Sequence, residues 1–135
     1  MAEILDMSAL ALGQSIKAGE LSPLEVVDRQ IEHIEAVNPS LNALVTRRFD
    51  GARLEAKSAE KVLGDSSKRA ELSPLFGVPC SIKEFLAHTE LPQSGGLKSR
   101  AGWIPDNDAT VVARLKAAGA IILGGTNIPE GGLWM

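Results

Sequence analysis

The chain has 135 residues, 44% hydrophobic and 23% charged, with a formal net charge of −3. Such a length suits one core that buries roughly two thirds of the unfolded surface, and the interspersed charges leave no basic footprint for nucleic acid. The single cysteine, Cys80, excludes an internal disulfide framework and a multi-cysteine metal site, while no apolar run approaches a membrane span and Glu3 and Asp6 stand where a signal peptide would be basic, so a cytoplasmic location is expected.

From Ser8 to Ala18 the positions Leu10, Ala11, Leu12 and Ile16 fall loosely on one helical face, and Gly19 is placed to end the helix at C′. Ser22-Pro23-Leu24-Glu25 reads as a capping box with proline in the first helical position. The helix it opens carries Val26, Val27, Ile31, Ile34 and Val37 at three- and four-residue spacing, and Asn38-Pro39 is expected to stop it. A short strand is expected over Leu41 to Thr46. Asp50 is expected to cap a third helix, Gly51 to Leu63, closed by Gly64, with an exposed loop from Asp65 to Glu71.

Pro74-Leu-Phe-Gly-Val-Pro-Cys-Ser-Ile-Lys83 then brings a cation into an apolar setting. Gly77 and Pro79 punctuate the entry, and a strand fits Val78 to Lys83. Alternation puts Cys80 and Ile82 on one side and Ser81 and Lys83 on the other, so that Glu84 points away from Lys83. Partial desolvation without a carboxylate partner favours a neutral amine, one way to make a base. The alternative is a surface lysine at a strand end.

Leu91 to Gly96 is turn chemistry, and Ala101 to Asn107 continues as loop. Asp108 is expected to cap a helix with Val111, Val112 and Leu115 as its stripe and Gly119 as its stop. Ala120 to Leu123 is apolar without alternation, as in a strand covered on both faces, and Gly124-Gly125-Thr126-Asn127 reads as the turn after it. Strand, helix and strand are in the order of a βαβ unit, right-handed in about 98% of cases. Lys83 and the glycine turn would then share the crevice beyond the carboxyl ends of parallel strands.

The block Pro74 to Glu84, followed by Asp108-Ala-Thr-Val-Val-Ala-Arg-Leu-Lys-Ala-Ala-Gly-Ala-Ile-Ile-Leu-Gly-Gly-Thr-Asn-Ile-Pro-Glu130, resembles the amidase signature family from about Leu21 onward. The resemblance implies an α/β fold with a mixed central β-sheet covered by helices. It implies that residues 1–135 are the N-terminal portion of a single amidase domain, truncated, with N-terminal helices: 1–73 a helical lead-in and 74–135 the start of the α/β core. It implies hydrolysis of carboxylic amides through an acyl-enzyme on a Ser–cis-Ser–Lys triad. Lys83 matches the triad lysine, acting through the bridging serine as general base and then general acid.

The serine pair of that family lies in a Gly-Ser-Ser-Gly-Gly type motif further along. These 135 residues hold no Ser-Ser-Gly-Gly, and Ser66-Ser67 is in the wrong context. One third of a triad is therefore present, and the chain alone is expected to be inactive and prone to self-association. Two departures bear on subclass. Glu84 follows the lysine where many members, including the A component of the tRNA-dependent amidotransferase, have Asp, and Gly125 stands where a lysine is common. The first looks more like the fatty-acid amide hydrolase branch. The alternatives are a chain like that amidotransferase component and a short non-catalytic binding module that keeps the substructure.

The implied partner is a small-molecule amide, with no cofactor and no metal. Gly131, Gly132 and Leu133 are candidate substrate contacts, because by the resemblance Gly131 to Met135 runs towards the substrate channel. Cys80 reads as a small buried hydrophobe rather than a nucleophile, and neither His33 nor His88 has the spacing of a dyad with it. Gly95-Gly96 and Gly124-Gly125 match no phosphate-loop pattern and read as turn and strand-end glycines. Trp103 and Trp134 read as packing.

Overall fold

The computed structural model describes residues 3–133. Three strands form one sheet in the order β1-β3-β2, with β1 (Leu44–Arg47) antiparallel and β2 (Pro79–Lys83) parallel to the central β3 (Ile121–Thr126). The sheet is mixed, as expected. Among the described residues the outer edges of β1 and β2 carry no further strand.

The first helix, α1 (Ala9–Ala18), starts on Ser8, whose hydroxyl accepts from the Ala11 amide, and ends on Gly19 in the left-handed region at φ 78°. The second, α2 (Pro23–Leu41), starts on Ser22, which accepts from the Leu24 and Glu25 amides and donates to the Glu60 carboxylate of the third helix. One oxygen thus caps α2 and pins it to its neighbour. The expected stop at Asn38-Pro39 does not occur, since the helix runs on through Pro39 to Leu41 and turns at Asn42 with φ 49°. The reason lies in the Asn38 side chain. Buried, it accepts from the Ala43 and Leu44 amides at 2.9 and 2.8 Å and donates to the Leu44 carbonyl at 2.9 Å, so the extra turn is held by the strand it delivers. That strand accordingly begins at Leu44 and not at Leu41.

Two boundaries move because side chains are committed elsewhere. Helix α3 (Phe49–Leu63) begins before Asp50, which sits in its first turn, because Phe49 is a buried core residue; Gly64 closes it in right-handed and not left-handed geometry. Helix α4 (Thr110–Ala117) has no side-chain cap: Asp108 accepts instead from the Thr89 amide and pairs with Lys116 at 2.8 Å. The segment Ser66–Glu71, expected as open loop, forms 3-10 turns with Asp65 as its cap.

The strand β3 is buried from Ile121 to Gly125. Ile121 and Leu123 pack with Val27, Ile31, Phe49, Ala52 and Ala56 of α2 and α3 on one face. Ile122 packs with Ile82, Leu91 and Val112 on the other, so the strand is covered on both sides as its composition implies. A third cluster, Leu12, Ile16, Val26, Leu63 and Val78, docks α1 onto the entry to β2. Gly124 and Gly125 are strand residues and not a turn. A Cβ at Gly124 would lie 2.1 Å from the Thr46 carbonyl oxygen and one at Gly125 2.5 Å from the Thr46 hydroxyl, so their bareness lets β1 approach β3.

Candidate active site

Lys83 is the last residue of β2 and pairs in register with Thr126 at the end of β3. The alternation holds: Ser81 and Lys83 are exposed on one side, and Ile82 is buried on the other with Cys80 packed beside it. Parallel pairing puts both carboxyl ends at one rim. There the Lys83 ammonium donates to the main-chain carbonyl of Asn127. Among these residues Lys83 is exposed at this rim, in keeping with a lysine at a strand end.

A cleft of about 630 Å³ opens over that ammonium. Its lining includes Lys83, Phe85, Gly95, Arg100, Gly131 and Gly132. Two of the three candidate contact residues, Gly131 and Gly132, therefore meet Lys83 across one cavity. Leu133 stands apart with 82% exposure, and Trp134 lies outside the described residues. Trp103 is half-exposed with the Arg100 guanidinium 4.4 Å over its ring, a surface stack and not core packing.

Burial pushes the Cys80 thiol up, the opposite of what a cysteine nucleophile needs. His33 is exposed on α2. His88 is buried; its Nδ1 accepts from the Glu90 amide at 3.1 Å and its Nε2 has no hydrogen-bond partner. Burial first, then the charges of Lys116 and Arg48, hold its pKa below the usual histidine value. Among the described residues no group of three or more His, Cys, Asp or Glu is placed to hold a metal ion, and no helix is long and apolar enough to cross a membrane.

The residue that sequence reasoning passed over is Glu84. It is 5% exposed, and its carboxylate accepts from the Ser94 and Gly95 amides under the cleft. Strand alternation indicates only that it points away from Lys83. The Ser-Gly-Gly turn ten residues later supplies the amides, and that pairing is tertiary.

The family model for Amidase matches residues 25–135. The chain belongs to the amidase family. Among curated proteins it is 46% identical to fatty-acid amide hydrolase 2-B of Danio rerio, an alignment covering 98% of this chain and 26% of that protein. It is 36% identical to the A component of the glutamyl-tRNA(Gln) amidotransferase of Streptomyces coelicolor over 96% of this chain and 26% of the relative. Among solved structures, a bacterial aryl acylamidase of the amidase signature enzymes matches with a TM-score of 0.80 at 28% identity, over 93% of this chain and 26% of that one. The chain thus spans about a quarter of the length of the relatives it matches, and its helices and small mixed sheet are part of the amidase signature fold.

Proposed function

We propose that these residues are the N-terminal portion of an amidase that hydrolyses carboxylic amides through an acyl-enzyme, with Lys83 as the lysine of a Ser–cis-Ser–Lys triad. The observation that carries this reading is the position of the Lys83 ammonium: at the rim formed by the carboxyl ends of two parallel strands, held by the Asn127 carbonyl and lining the cleft. An exposed amine in that place can take the proton of a bridging serine as the nucleophile attacks and return it to the leaving amine. The serine pair and the oxyanion donors have no counterpart in these 135 residues, so the chain alone would turn over no amide.

The test is to read the gene past residue 135 and to assay the complete protein. A Ser-Ser-Gly-Gly motif there, and amide hydrolysis lost with Lys83→Ala, is the expected result; absence of the serine pair would sink the reading. A second reading, the A component of a tRNA-dependent amidotransferase, draws on the 36% identity to the Streptomyces coelicolor protein. It is separated by assay with glutaminyl donors and misacylated tRNA in place of simple amides. Glu84 favours the hydrolase, since it sides with the fatty-acid amide hydrolase branch at the position after the lysine.

A further inference from the structure

We propose that Glu84 is a positioning residue that sets the width of the cleft over Lys83, and so governs substrate binding and not proton transfer; this rests on the amidase reading above. Neighbours on the chain, Lys83 and Glu84 leave β2 on opposite sides. Lys83 faces the cleft, and Glu84 goes beneath it. There each carboxylate oxygen takes a different main-chain donor, Oε1 the Ser94 amide and Oε2 the Gly95 amide at 2.9 Å. Adjacent amides converging on one buried carboxylate define the local backbone direction, because moving the turn breaks two charge-assisted bonds together.

The turn is held from its other side as well. The Gly131 amide donates to the Gly95 carbonyl at 2.8 Å. Gly96, at φ 77°, lies so close to the opposite wall that a Cβ there would sit 2.8 Å from the Cα of Glu130. Gly95 and Gly131, which this bond joins, both line the cleft. The chain of contacts from Glu84 through the Ser94-Gly95-Gly96 turn to Glu130-Gly131 therefore ties together two segments that line the cleft. It does not pass through the Lys83 ammonium, whose bond goes to Asn127. The glycines are bare because the walls are in backbone contact, and Glu84 supplies the anchor that their small size cannot.

The experiment uses the complete protein with Glu84→Gln, which keeps the shape of the side chain but turns one acceptor into a donor facing an amide. With acyl p-nitroanilides as probes, KM is expected to rise about tenfold or more while kcat stays within about threefold and the pH–rate profile is unchanged, the pattern of lost positioning before chemistry. Hydrogen exchange should speed about tenfold or more in 93–97 and 130–132, and remain at the parent level in the helices. A fall in kcat at constant KM, or unchanged exchange in 93–97, overturns the proposal. If the parent protein turns over no amide, the amidase reading fails, and exchange alone still decides whether Glu84 anchors the turn. Should Glu84→Gln not fold, Glu84→Asp keeps both acceptors one methylene shorter and must show the same split to a smaller degree; a kcat effect there overturns the proposal equally.

Discussion

Lys83 and Asn127 join two strand ends: the ammonium at the close of β2 donates to the main-chain carbonyl of the residue just beyond β3. The amine is held by one neutral acceptor at the rim, with its remaining donor positions directed to solvent and cleft. Lys83→Ala in the complete protein is expected to lower amide turnover by about 10²–10⁴-fold, the range of general acid–base catalysis. Because its one hydrogen bond here is to a neutral main-chain carbonyl, the unfolding midpoint should move by no more than about 1 kcal/mol equivalent. Steady-state kinetics beside urea denaturation read both, and a variant of parental rate would remove Lys83 from the mechanism.

Asn38 satisfies the buried amide and carbonyl of Leu44 and the part-buried Ala43 amide at the passage from α2 to β1. Asn38→Ala strands the Ala43 and Leu44 amides and the Leu44 carbonyl, at a cost of about 2–4 kcal/mol. Asn38→Asp keeps the two accepted bonds and loses only the donated one, so it should fall between. Denaturant midpoints of the three proteins check the order.

Gly13 of α1 packs on the carbonyl of Pro74, and an added Cβ would lie 2.0 Å from that oxygen. Alanine normally gains about 1 kcal/mol over glycine inside a helix. Here the clash with main chain must win, and Gly13→Ala is expected to destabilise by about 1–3 kcal/mol, as overpacking does. A stabilised variant would mean that α1 slides freely over the entry to β2.

The pH dependence has two windows of different origin. His88 is faced by Lys116, Arg48, Asp108 and Glu90, and its folded pKa lies below the ordinary 6.5. Between those values the unfolded chain binds more proton than the folded one, so stability falls as pH drops through 6.5 and levels below the folded pKa. Asp108 acts lower. Burial opposes its ionisation, but the Lys116 ammonium and the Thr89 amide outweigh it and bring the pKa from 3.8 to about 2. Its contribution, about 2 kcal/mol, is full above 3.8 and lost as pH falls towards 2. Melting temperatures of the parent and of His88→Asn across about pH 8 to about pH 5 should diverge only in the upper window.

Residues 1–135 made alone should associate. The outer edges of β1 and β2 offer unpaired backbone among the described residues, and Phe85, Trp103, Ile104 and Val111 are exposed. Sedimentation at increasing concentration checks this; a monomer with a sharp two-state melt would refute it.

What local chemistry decides was legible: the cap at Ser22, the stop at Gly19, the alternation that turns Lys83 outward, and the doubly covered β3. What failed were places where a polar side chain serves a distant backbone. Asn38 carries a helix through proline for the sake of β1, Asp108 leaves its own helix for Thr89, and Glu84 reaches Ser94 and Gly95. Residue spacing along the chain does not encode such pairings. Lys83 stood out from its strand context and the glycines at 131 and 132 were named through the resemblance, whereas their lining of one cleft required the fold.

Thr46 and Gly125 finally constrain the order in which this chain can change. The Thr46 hydroxyl accepts from the Gly125 amide at 3.0 Å and fills the space where a side chain at 125 would begin. Gly125→Lys made first meets that oxygen and should be rejected, whereas after Thr46→Gly its nearest neighbour is the Glu84 Cα, a tight but tolerable 3.3 Å away. The pair is expected to show sign epistasis, each substitution harmful alone and less so together, with a coupling of about 1–3 kcal/mol. A side chain on the Glu84 side of β3 is thus reachable from this sequence by one mutational path and closed by the other.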